Sequence, residues 1–143
     1  MSQGVARFVR DQPLVALLAA VGVVIVGGLV DLQWHLTHDE FEGTSEQFRA
    51  HTVVWIGVLL VLMVTALAVK EGIRGTGYRL ALLGAVFYVP VAVWHFIEHA
   101  NGSDPEVAHV LLALADVAIL TGGAVAFATR RRAALQGSAG PRE

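Results

Sequence analysis

Apolar residues in this chain gather into four long runs separated by short polar stretches, and that rhythm predicts the architecture. The runs cover about 13–38, 48–70, 78–100 and 105–129. Each is long enough to cross a bilayer, which takes roughly 20 residues of helix. The links between them are brief: a polar stretch from Asp39 to Gln47, a glycine-containing turn from Lys70 to Gly77, and Asn101-Gly102-Ser103-Asp104. Short links make successive helices antiparallel. The expectation is therefore an all-α, integral membrane four-helix bundle running up-down-up-down. Pro105 suits the first turn of the fourth helix, with Ser103 or Asp104 as its N-cap. Residues 1–134 form one domain on this reading, and 135–143 form a disordered tail. No internal repeat stands out.

Charge then fixes the orientation. Arg7 and Arg10 precede the first run, Lys70, Arg74 and Arg79 lie between the second and third, and Arg130, Arg131, Arg132 and Arg142 follow the fourth. Nine of the ten basic residues thus fall on one side, Arg49 being the exception. Cationic loops stay in the cytoplasm, so both termini are expected there. The first run is read as a retained span of the cell membrane. It is long for a signal peptide, and Asp31, Trp34 and His35 follow it where a cleavage site would carry small residues.

Composition removes several chemistries. The chain has no cysteine, so disulfides, thiolate metal sites and cysteine nucleophiles are excluded. Its two methionines, Met1 and Met63, do not make a soft sulfur site. The basic residues are those that orientation requires, and phosphate loops and serine triads are absent, so nucleic acid is not an expected partner. The lipid bilayer is.

What distinguishes the sequence is where its ionisable groups lie. All six histidines fall at the extracytoplasmic ends of the runs: His35 and His38 close the first, His51 opens the second, His95 and His99 close the third, and His109 opens the fourth. Asp31, His35, His38 and Asp39 recur at i, i+4, i+7 and i+8, so they share one helix face. His95, Glu98 and His99 share another, and His109 and Asp116, seven apart, a third. Asp31 is about 10 Å deeper than His38 at roughly 1.5 Å of rise per residue.

An aspartate at membrane depth costs at least roughly 2.5–3.5 kcal/mol, and such groups face a bundle interior or a watery cavity. Several in one layer need a neutraliser. Either a cation is held by neutral imidazoles and carboxylates, or the groups share protons. The leading metal ligands are Asp31, His35, His95, Glu98 and His109. Further ligands, or groups that orient the ligands, are His38, Asp39, His51, His99 and Asp116. Nitrogen and oxygen donors without sulfur suit copper, zinc or non-haem iron, with copper favoured. Haem b between facing histidines such as His35 and His95 is an alternative. A second alternative is a small non-catalytic subunit of a larger membrane complex that conducts or senses protons. Trp34, Trp55 and Trp94 fit interfacial anchors or packing groups around the site. Gly22, Gly27, Gly28, Gly84, Gly122 and Gly123 fit close helix packing.

One hairpin carries a likeness. Asp31-Leu-Gln-Trp-His35, closing the first run, and His51-Thr-Val-Val-Trp, opening the second, resemble the C subunit of particulate methane and ammonia monooxygenases. The resemblance is confined to residues 31–55. It implies a copper site in the membrane region, with Asp31 and His35 matching the first two ligands of that family. His38 lies closer than the family's third ligand and His51 further, so this chain departs from the pattern there. The resemblance also raises an oxidoreductase or monooxygenase-like activity, on a chain much shorter than that subunit.

Overall fold

The structure, a computed structural model, describes residues 3–37, 44–73, 75–103 and 106–137. His38, Asp39 and Asp104 lie outside the described residues, as does the tail from Ser138 onward. Among the described residues the fold is all-α, with five helices: α1 Gln3–Asp11, α2 Pro13–Thr37, α3 Thr44–Lys70, α4 Thr76–Ala100 and α5 Glu106–Gly137. The last four are long and apolar enough to cross a membrane. At about 1.5 Å per residue, a helix of 25 residues spans roughly 37 Å, against about 30 Å for the hydrocarbon layer.

The short α1 was not anticipated. Val5, Phe8 and Val9 recur at i, i+3 and i+4, with Arg7 and Arg10 on the other side, which makes an amphipathic helix. Val9 is buried, and α1 rests on α2 and α3. Pro13 ends α1 because it has no N–H to continue the ladder, and it then opens α2, where a first-turn N–H is dispensable. At the opposite end of the chain, α5 runs to Gly137, about two turns past the expected limit of its apolar run and into the segment expected to be tail.

Packing is densest within two hairpins, α2 with α3 and α4 with α5. Their seams are built from small residues. A Cβ placed on Gly27 would sit 2.3 Å from the Val54 nitrogen, and one on Gly57 would sit 2.6 Å from the Val24 nitrogen. The two backbones therefore touch, and the pairings 27 with 54 and 24 with 57 run in opposite senses. Gly77 and Gly84 meet Ala126 and Ala115 in the same way across α4 and α5. Gly22 and Gly28, in contrast, have nothing within 4 Å of such a Cβ, so they do not sit on a seam. Ala16, Ala20, Ala81, Ala85, Ala108 and Ala115 fill the interior, while Val26, Leu29, Leu83, Val86, Val107 and Val110 point outward. Leu17, Val58, Val61 and Ile119 complete the interior, and the small residues at the seams allow the close backbone approach by which helices associate in lipid.

Polar groups in this interior are satisfied locally where they can be. The buried Thr65 hydroxyl donates to the Val61 carbonyl at 2.6 Å. Two of the turns share one capping geometry. Gly102 (φ 78°) donates to the His99 carbonyl while the Ser103 N–H reaches back to the Glu98 carbonyl. Gly72 (φ 83°), Ile73 and the carbonyls of Val69 and Ala68 repeat that pattern after α3. Both are Schellman caps, which need a residue at positive φ just past the helix. The first of them fixes the last turn of α4, where Glu98 and His99 sit.

Candidate metal centre

The C-terminal ends of α2 and α4 and the N-terminal parts of α3 and α5 meet at one end of the molecule, and each brings an imidazole. His35, His51, His95 and His109 form a closed ring of neighbours. Their ring centroids are 5.6 Å apart for His35–His51 and 5.5 Å for His51–His95. His95–His109 stand at 4.4 Å and His109–His35 at 6.0 Å. His99 packs on two of them, 4.4 Å from His95 and 5.6 Å from His109. His95 is 2% exposed and His51 8%, while Asp31, His35, His99 and His109 are half-buried around them.

The donor atoms converge on two foci. In the first, His95 Nε2 lies 2.8 Å from His109 Nε2 and 3.1 Å from His99 Nε2. In the second, Asp31 Oδ1 lies 3.3 Å from His51 Nδ1 and 3.8 Å from His35 Nε2. The ligand atoms within each set of three all lie within 4.8 Å of one another. For comparison, two nitrogens on a tetrahedral zinc, each about 2.0–2.1 Å from the ion, stand roughly 3.3 Å apart. The two separations made by His95 Nε2, 2.8 and 3.1 Å, fall a little short of that spacing. Without a cation, one Nε2 of each contact must donate and the other accept, since a neutral imidazole offers one acceptor nitrogen and one donor.

Helix geometry explains who takes part. His95 and His99 are one turn apart on α4 and present their Nε2 atoms to α5, where His109 sits in the first turns. Asp31 and His35 are one turn apart on α2 and face His51 near the start of the apolar part of α3. His51 and His99, expected as secondary members, each belong to one of the two sets. Glu98, expected among the leading ligands, stands outside both. Its carboxylate accepts from Trp94 Nε1 at 3.3 Å and from the Ser103 hydroxyl at 2.6 Å. That hydroxyl, a candidate N-cap for α5, turns back toward α4 instead.

Asp116 lies further along α5 with Oδ1 buried and without a hydrogen-bond partner among the described residues. Asp31 is near enough to act on it electrostatically. An orphaned carboxylate oxygen in an apolar interior is costly unless positive charge lies nearby.

Aromatic side chains close the surroundings. Trp34 meets the His35 ring edge-on at 5.0 Å and reaches His51 at 6.5 Å. Phe48, Trp55 and Phe96 form a triangle with centroids 5.6–6.0 Å apart, clamping α3 to α4 beside His51 and His95. No protein-family model, curated protein or solved structure matches this chain.

Proposed function

We propose that this chain is a multi-pass membrane protein that holds a metal ion through histidine and aspartate near its extracytoplasmic face. The observation that carries the reading is the convergence of three Nε2 atoms, from His95, His99 and His109, at separations close to those a bound cation requires. The four long helices cross up-down-up-down with both termini in the cytoplasm. Support for that orientation comes from the sequence, where nine of the ten basic residues fall in the segments on the side of the spans opposite the histidines.

The donors are imidazole nitrogen and carboxylate oxygen, which suit Cu(II), Zn(II) or non-haem iron. Copper is our first assignment, favoured by the likeness of the Asp31–His35 segment to the copper-bearing C subunit of methane and ammonia monooxygenases. Zinc and iron follow. Three protein ligands leave a coordination position open. A small ligand can enter there, and copper or iron would supply oxidoreductase chemistry. The packing favours a compact cation over haem b, because imidazoles from all four helices already adjoin one another at 4.4–6.0 Å between ring centroids.

Elemental analysis of the detergent-purified protein, wild type against a His95→Ala, His109→Ala double variant, tests this directly. Near-stoichiometric or greater metal in the wild type, reduced in the variant by the ion that His95, His99 and His109 hold, is the expected result. A wild type that takes up no copper, zinc or iron after reconstitution refutes the proposal and leaves a hydrogen-bonded, proton-sharing imidazole cluster, suited to a subunit of a larger complex. Reporter fusions at the C-terminus test the orientation: fluorescence of a green fluorescent protein fusion and an inactive alkaline phosphatase fusion are expected.

A further inference from the structure

The two convergent sets are not scattered over the bundle. Each belongs wholly to one hairpin. Asp31 and His35 end α2 and His51 opens the apolar part of α3; His95 and His99 end α4 and His109 opens α5. In both hairpins the first helix supplies a pair at i and i+4, and the second supplies one histidine across the turn. Each first helix also carries a Trp-His step, Trp34-His35 and Trp94-His95, although His35 is the second member of its pair and His95 the first, so the two sets are alike in composition by helix and not in register.

The sets also point to different places. His51 directs Nδ1 at Asp31 Oδ1, while His95, His99 and His109 bring together their Nε2 atoms. The rings adjoin through His51–His95 at 5.5 Å and His35–His109 at 6.0 Å, so the two foci are neighbours without sharing a donor atom. Two cations this close repel each other, and carboxylates offset that repulsion. Asp31 lies within one set, and Asp116 on α5 has a buried Oδ1 without a hydrogen-bond partner among the described residues.

We propose that the protein binds two metal ions side by side, one per hairpin: one on three imidazoles (His95, His99, His109) and one on two imidazoles and a carboxylate (Asp31, His35, His51). This rests on the reading of the cluster as a metal centre and adds the number and chemical inequality of the sites. The three-imidazole site is electrically neutral and the other carries a negative charge, so the two differ in affinity and fill in sequence.

The test uses full-length protein in detergent, stripped with chelator and titrated with Cu(II). Elemental analysis reads the stoichiometry, and electron paramagnetic resonance reads the environment. Two ions per chain are expected in the wild type. One equivalent should give a resolved mononuclear signal, and the second should broaden it or reduce its intensity through coupling between neighbouring ions. His99→Ala and Asp31→Asn should each hold one ion, with different spectra. A wild type that saturates at one ion overturns the two-site inference and leaves the single-ion proposal standing. No ion at all overturns both. Two ions with additive, uncoupled spectra also overturn it, because the second ion then sits elsewhere. The wild-type titration decides the matter even if a variant fails to fold.

Discussion

Gly27 and Gly28 are adjacent in the sequence, yet the structure predicts opposite responses to one added methyl group. A Cβ on Gly27 meets the Val54 nitrogen at 2.3 Å, its Cα at 2.5 Å and the Val53 carbonyl carbon at 2.7 Å. All three are backbone atoms in the middle of a helix, so none can swing aside. Ordinary contact begins near 3.4 Å, which means α2 and α3 must separate by about 1 Å at this level. Overpacking of that kind costs about 1–3 kcal/mol. A Cβ on Gly28 meets nothing within 4 Å, and exchanging a helical glycine for alanine gains up to about 1 kcal/mol. Both variants gain that propensity, so they should differ by the overpacking cost alone, roughly 1–3 kcal/mol. The separation also reaches the site. Asp31 is one turn beyond Gly27 on α2, and His51 is three residues before Val54 on α3, so their 3.3 Å contact must lengthen. Gly27→Ala should consequently weaken metal binding while leaving every ligand in place. Thermal unfolding in detergent, with a fluorescent reporter of aggregation, reads the first effect; equilibrium metal titration reads the second. If Gly27→Ala proved as stable as Gly28→Ala, the tight α2–α3 seam would be wrong.

Three other perturbations follow from particular contacts. Protons compete with a cation for imidazole nitrogen. Metal affinity should therefore fall as the pH is lowered; equilibrium dialysis over a pH series that shows flat affinity would contradict imidazole ligation. Asp116→Leu removes an unpartnered buried oxygen. It should stabilise the metal-free protein by about 1–3 kcal/mol and weaken metal binding; a loss of stability without metal would mean that the carboxylate has a partner of its own. The Arg10–Glu71 pair joins α1 to the end of α3 at 2.9 Å, with the two side chains 61% and 30% exposed. Screening by water limits such a pair to below about 1 kcal/mol, so Arg10→Ala should shift the unfolding temperature little, and less still in high salt.

The helical class and the four apolar spans were legible in the sequence because hydropathy over 20 residues is a property of the chain alone, and no partner is needed to read it. The placement of His35, His51, His95, His99 and His109 at one set of helix ends was equally legible, since it follows from where the runs stop. α1 escaped that reading because its signal is a single turn of Val5, Phe8 and Val9, settled only by burial of Val9 on α2 and α3. The membership of the site was the work of tertiary structure. At about 100° per residue, Glu98 and His99 lie on opposite flanks of His95 by similar angles, and both read as neighbours on its face. Which of them meets His109 depends on how α4 is rotated against α5, and that rotation is set by the contacts of Gly77 and Gly84 with α5. The same rotation leaves Glu98 to Trp94 and Ser103. The sorting of donors into two sets, one in each hairpin, likewise depends on distances across helices, which no spacing along one helix contains. Sequence periodicity places residues on faces, and only packing decides which faces meet.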